Sequence, residues 1–135
     1  MIKKVLLFCG LFALPLSAFD KAQQVSLDDI DSFQISLNGV TLSNFLIKEE
    51  KALLPNGLHN LKVSYAARNT NDDTKALVVM LVGKQEDEIL WALNVNPMFF
   101  LLASKGNETC EGDIYVPPGD LKKTTKIWIR VVGDF

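Results

Sequence analysis

Residues 33–65 read FQISLNGVTLSNFLIKEEKALLPNGLHNLKVSY, and this stretch decides the fold. Phe33, Ile35 and Leu37 alternate with Gln34 and Ser36, the period-two pattern of a half-buried strand. Asn38-Gly39 follows, a strong hairpin signal because both central residues of the tight turn need positive φ. Val40, Leu42 and Phe45 to Ile47 resume the pairing, Glu49-Glu50-Lys51 reads as a charged edge or loop, and Pro55-Asn56-Gly57 is a second turn. His59 to Tyr65 alternates again, with Leu61, Val63 and Tyr65 on one face.

Toward the C-terminus the same rhythm continues. Arg68 to Lys75 is a polar loop. Ala76 to Val82 is apolar without alternation and rich in valine, as expected of a strand buried on both faces. Gly83 to Glu88 is a turn, and Ile89, Trp91, Leu93 and Val95 share a face of the next strand. Asn96-Pro97 interrupts, Met98 to Ala103 is again apolar, and Ser104 to Gly112 is a loop. Asp113 to Val116 is a short strand ended by Pro117-Pro118-Gly119, and Lys126 to Val132 is the last. Turn signals about every ten residues predict an all-β, single-domain antiparallel β-sandwich, immunoglobulin-like, of seven to eight strands.

Toward the N-terminus, residues 19–32 are polar and read as an arm or a short helical turn, leaving 33–135 as the sandwich domain. Residues 1–18, MIKKVLLFCGLFALPLSA, have the build of a signal peptide: Lys3 and Lys4, an apolar stretch from Val5 to Leu16, and small residues before a cut after Ala18. That stretch spans about 18 Å as a helix, short of the ~30 Å hydrocarbon core, so no membrane span is expected after cleavage. The 135 residues less 18 leave 117, and Cys110 is then the sole cysteine, either buried or free to join a second copy as a dimer. The expected location is periplasmic or secreted.

Composition narrows the function classes. Fourteen Lys and Arg against 16 Asp and Glu argue against a nucleic-acid partner. His59 is the one histidine, no G-x-S-x-G occurs, and no catalytic residue is assigned. Zinc needs more Cys and His than this chain offers. Asn69, Asn71, Asp72 and Asp73 crowd one loop with hard oxygens, yet Thr74 and Met80 stand where a calcium hand would place Gly and Glu. Neither a metal nor a cofactor is expected. The paired acids Asp28-Asp29, Glu49-Glu50, Asp72-Asp73 and Glu86-Asp87-Glu88 read as solvated turns and edge guards.

The candidate binding residues lie in the last strand. Ile127, Ile129 and Val131 share one face, while Lys126, Trp128 and Arg130 share the other. An outward tryptophan flanked by cations suits a protein or glycan contact. Trp91, on the parity of Leu93 and Val95, belongs to the core.

The frame I-x-L-N-G, a spacer, then L-x-x-G-x-H-x-L-x-V rests on Ile35, Leu37, Asn38, Gly39, Leu54, Asn56, Gly57, His59, Leu61 and Val63. It resembles the YccT-like periplasmic family, which includes a curli synthesis inhibitor, and also the PEGA domain, a small β module of envelope proteins. The resemblance covers residues 33–65 and implies an exported, non-catalytic β protein of the Gram-negative envelope. The function expected is therefore binding: an envelope protein, fibre-forming or otherwise, is the partner. The alternatives are a carbohydrate or small-ligand module and a small outer-membrane β-barrel, the latter suggested by the alternating terminal strand and Phe135.

Overall fold

The computed structural model describes residues 19–53 and 56–134; the signal-peptide reading, Cys9, Leu54, Pro55 and Phe135 lie outside them. In chain order the strands are β1 (Phe19–Ser26), β2 (Ile35–Leu37), β3 (Val40–Lys51), β4 (His59–Asn69), β5 (Lys75–Gln85), β6 (Glu88–Asn94), β7 (Leu101–Leu102), β8 (Asn107–Val116) and β9 (Lys126–Gly133). One α-helical turn, α1 (Asp120–Lys123), and 3₁₀ turns at Leu27–Ser32 and Met98–Phe100 complete the elements. The first sheet runs β1-β9-β5-β6, with β7 pairing β5 as well; the second runs β2-β3-β4-β8. All pairs are antiparallel.

Alternation explains why the two layers stick. Leu61, Val63, Tyr65 and Ala67 from β4 face Leu77, Val79 and Leu81 from β5 and Ile127, Ile129 and Val131 from β9, and none of them is more than 2% exposed. Burying an aliphatic side chain of this size contributes about 1.5–3 kcal/mol against leaving it wet. Phe45 stacks on Tyr65 at 5.1 Å between ring centroids and meets Phe33 at 5.5 Å. The Tyr65 hydroxyl donates to the Val95 carbonyl at 2.5 Å, a buried bond that ties the second sheet to the strand end leaving the first.

Two irregularities reset the alternation. Between Ser43 and Leu46 the β3–β4 register shifts, with Asn44 at φ 56. Inward positions therefore change from Val40 and Leu42 to Phe45, Ile47 and Glu49. A second shift, at Gly83 and Lys84, turns Ile89 out to 63% exposure and packs Leu90 against the core. Ile89 thus does not share the face of Trp91. The indole of Trp91 lies on Gly83, where a Cβ would come 2.0 Å from Trp91 Cε2. Trp91 Nε1 donates to Thr124 Oγ1 at 3.0 Å, and that hydroxyl donates to the Asp120 carbonyl at 2.8 Å, so the tryptophan also holds α1.

The two-layer antiparallel sandwich is as the turn spacing predicts. Its first strand lies beside its last, in register from Phe19↔Gly133 to Ser26↔Lys126. Residues 19–26 are therefore a sheet strand rather than an arm, and 27–32 are the helical turn. β1 looks polar because Lys21 and Gln23, which point toward the core layer, overhang the sandwich edge and stay exposed. Such inward charge guards a free edge. β8 extends back to Asn107, longer than the short strand expected, and Met98–Ala103 yields only two strand residues. The barrel alternative fails: the described strands divide into two open sheets, neither closed on itself.

Gly83→Ala is expected to destabilise the domain by about 1–3 kcal/mol, because the methyl meets a ring that cannot retreat. Urea unfolding checks this; an unchanged midpoint would show that the indole is free to move.

Candidate functional site

The outer face of the first sheet carries the predicted residues. Its pairings place Gln24, Trp128, Val82 and Ala92 in one row, Ala22, Arg130, Met80 and Asn94 in the next, and Asp20, Val132 and Val78 in a third. Trp128 is half-buried on this face, Val78 is 36% exposed, and Val82 is nearly covered. The 76–82 run is thus buried on one face only. Lys126 pairs with Lys84 at one end of the face and stays exposed. Arg130 is not free: its Nε donates to Asp20 Oδ1 at 2.9 Å and its terminal nitrogen to Asp20 Oδ2 at 2.7 Å. That bidentate bond, with the guanidinium charge, holds the Asp20 carboxyl below its ordinary range. The sequence reading is correct that Lys126, Trp128 and Arg130 share a face. It missed that aliphatic side chains of β5 extend this face into an apolar strip, with Lys84 and Lys126 at one end.

The strip continues past the end of β6. Leu101 pairs with Ala76, on the parity of Val78, and is 50% exposed. Before it, Met98 is 70% exposed, Phe99 81% and Phe100 53%. Phe99 and Phe100 have φ of 56 and 61, left-handed values that cost a bulky residue on the order of 1–2 kcal/mol each. The base of this knuckle is rigid. Met98 N donates to Glu108 Oε2 at 2.8 Å, Phe100 N to the Pro97 carbonyl at 2.9 Å, and Val79 N to Asn96 Oδ1 at 2.8 Å. Leu102 is buried, and the buried Asn69 amide donates to the carbonyls of Leu102 and Ala103. Sequence reading marked this run only as apolar after the Asn96-Pro97 interruption and did not find the exposed turn.

The second sheet's outer face is polar. Leu46, Lys48, Lys62, Ser64, Glu111 and Asp113 line a depression of about 580 Å³. Glu50 bridges Lys62 at 3.0 Å and Lys48 at 3.6 Å. Charges of both signs therefore lie side by side.

The remaining sequence candidates have structural work. His59 bonds a carboxylate, its Nδ1 lying 2.6 Å from Glu49 Oε2. Glu49 also accepts from Gly119 N at 2.9 Å and Leu121 N at 3.1 Å, so one side chain closes that end of the sandwich onto α1. Burial works against the Glu49 charge, but these donors outweigh it and its pKa falls. In the oxygen-rich loop, Asn69 Oδ1 accepts from the Asn71 backbone and side chain, while Asp72 and Asp73 pair with Lys105 and Lys75. Cys110 is buried; burial, with the Glu108 charge beside it, pushes its thiol up to about 11. Among the described residues no group of three or more His, Cys, Asp or Glu is arranged to hold a metal, and no helix is long and apolar enough to cross a membrane. Comparison with family models, curated proteins and solved structures finds no match for this chain.

A lowered carboxyl pKa means stability that is present above the unfolded-state value and lost as pH falls through the folded-state value. The wild-type chain should therefore lose more stability than Glu49→Gln on going from neutral pH to below about pH 4, measured by urea unfolding. Parallel curves would show that Glu49 is not the group responsible. Iodide should quench only one of the two tryptophans, since Trp91 is 4% exposed and Trp128 half-buried. Equal protection of both would remove Trp128 from the candidate face.

Proposed function

We propose that this protein is an exported, non-enzymatic binding protein of the bacterial envelope, periplasmic or secreted, whose partner is another envelope protein, fibre-forming or otherwise. The observation that carries the reading is the apolar strip on the outer face of the first sheet. Val78, Met80 and Val82 form a row on β5 beside Trp128 and Val132, Lys84 and Lys126 close one end, and the Arg130–Asp20 pair lies within the face between Trp128 and Val132. An apolar row bordered by charged side chains that are paired or solvated suits a protein contact. A half-buried tryptophan set in a rigid sheet gives contact area at little entropic cost. The leader-like residues 1–18 and the resemblance of 33–65 to envelope β proteins support the location. Binding needs no reactive cluster, and His59 and Cys110, the groups a nucleophilic mechanism would use, are engaged or buried. The Cys110 dimer finds no support here, because the thiol is enclosed and held protonated.

A second reading, a carbohydrate or small-ligand module, is favoured by one observation. The depression over Lys62 and Ser64 has the size of a small-molecule site and offers both donors and acceptors.

The test is capture from envelope extract with three chains: wild type, Val78→Lys with Met80→Lys, and His59→Ala. The double lysine variant should lose the captured partner by roughly tenfold or more while keeping its fold, and His59→Ala should retain it. Equal capture by all three chains would refute the face as the contact. A glycan array, with Lys62→Ala as control, tests the second reading.

A further inference from the structure

The Met98–Leu101 knuckle is too small and too convex for the partner face described above. Four consecutive large apolar side chains are 50–81% exposed and project from a turn with two left-handed phenylalanines. A stable protein contact takes about 800 Å² from each side, more than one four-residue knuckle presents. The depressions over β3, β4 and β8 of a second copy, lined in part by charged side chains, do not suit it. A bilayer surface, by contrast, accepts any rigid apolar projection that reaches the headgroup–acyl boundary, about 5–10 Å deep. We propose that this knuckle is a lipid-docking tip that seats the end of the sandwich shallowly in a bilayer surface.

The surrounding charges say which lipid. At that end of the sandwich Arg68, Lys75 and Lys105 are set against Asp72, Asp73, Glu108 and Asp134. Lys75 pairs with Asp73 at 3.1 Å and Lys105 with Asp72 at 3.2 Å. There is no cationic excess to draw anionic headgroups, so docking relies on apolar insertion into a zwitterionic surface and is insensitive to salt. The architecture suits the task. Leu102 and the Asn69 amide anchor the base, so the tip enters preformed. Keeping two phenylalanines in left-handed backbone is unfavourable in water, and asparagine would fit there with less strain. The sequence retains the aromatics where folding alone would favour a polar residue.

The test needs a local readout, because the apolar stretch Val5 to Leu16 of the full chain adds its own affinity for vesicles. Phe99→Trp in the full chain is mixed with phosphatidylcholine vesicles brominated on the upper acyl chain. The fluorescence added by this residue should shift to the blue and fall at least about twofold, equally at about 50 mM and about 500 mM salt. Unbrominated vesicles should slow amide exchange at 98–102 roughly tenfold in the parent chain. Phe99→Asn with Phe100→Asn should abolish that slowing without lowering the thermal midpoint, which separates loss of docking from loss of fold. The proposal is overturned if the added tryptophan stays unquenched. It is equally overturned if exchange at 98–102 ignores vesicles, or slows only with rising protein concentration, which marks self-association, or only with envelope extract, which marks a protein socket.

Discussion

A dry sheet of aliphatic side chains, set on alternate positions of β4, β5 and β9, holds the two layers together, and every other feature depends on that alternation being kept. Wherever the chain breaks it, a neighbouring residue restores order. Asn44 takes up the extra residue in β3, so that Phe45 and Ile47 continue the inward row begun by Val40 and Leu42. The bare backbone of Gly83 receives the Trp91 ring, which the shift between β5 and β6 would otherwise leave without room. The inward row of β3 ends on a carboxylate. Glu49 can point toward the interior only because a histidine and two backbone amides meet it there.

The alternation also sorts what was legible from the residues alone. The Asn38-Gly39 turn and the face made by Leu61, Val63 and Tyr65 are local, set by φ preference and period two, and both are found: Asn38 and Gly39 have φ of 46 and 84. Burial of Trp91 followed from the same parity. What escaped reading depends on distant partners. β1 has almost no apolar signal of its own, since its strand state comes from backbone pairing with residues a hundred or more positions away. Ile89 fails because the extra residue at Leu90 takes it off the parity of Trp91, Leu93 and Val95. Residues 98–101 have a strand's composition, but the space beside β5 admits only Leu101 and Leu102 before the chain must leave the edge. Of the candidate site, Trp128 and its flanking cations were legible. The bond that binds Arg130 to Asp20 was not, because nothing near either residue announces the other.

The two proposed contacts belong to one surface. Leu101 sits at the seam, paired to Ala76 and in line with Val78, so the apolar strip runs from the middle of the first sheet to the knuckle at its end. A domain resting on a bilayer by that end would keep its flat strip above the headgroups, open to a neighbouring protein. Shallow anchoring restricts search to two dimensions and raises the effective concentration of such a neighbour. The polar second sheet, with Lys48, Glu50 and Lys62 in alternating charge, would then face the aqueous side.

The place of β9 has a consequence for how such a chain is made. It is a central strand, flanked by β1 and β5, yet it follows every other described strand along the chain. Until residues 126–133 emerge, β1 has no strand neighbour and one edge of β5 is unpaired, so the first sheet cannot close. Closure of the first sheet is therefore a long-range event, completed only when segments about a hundred positions apart meet side by side.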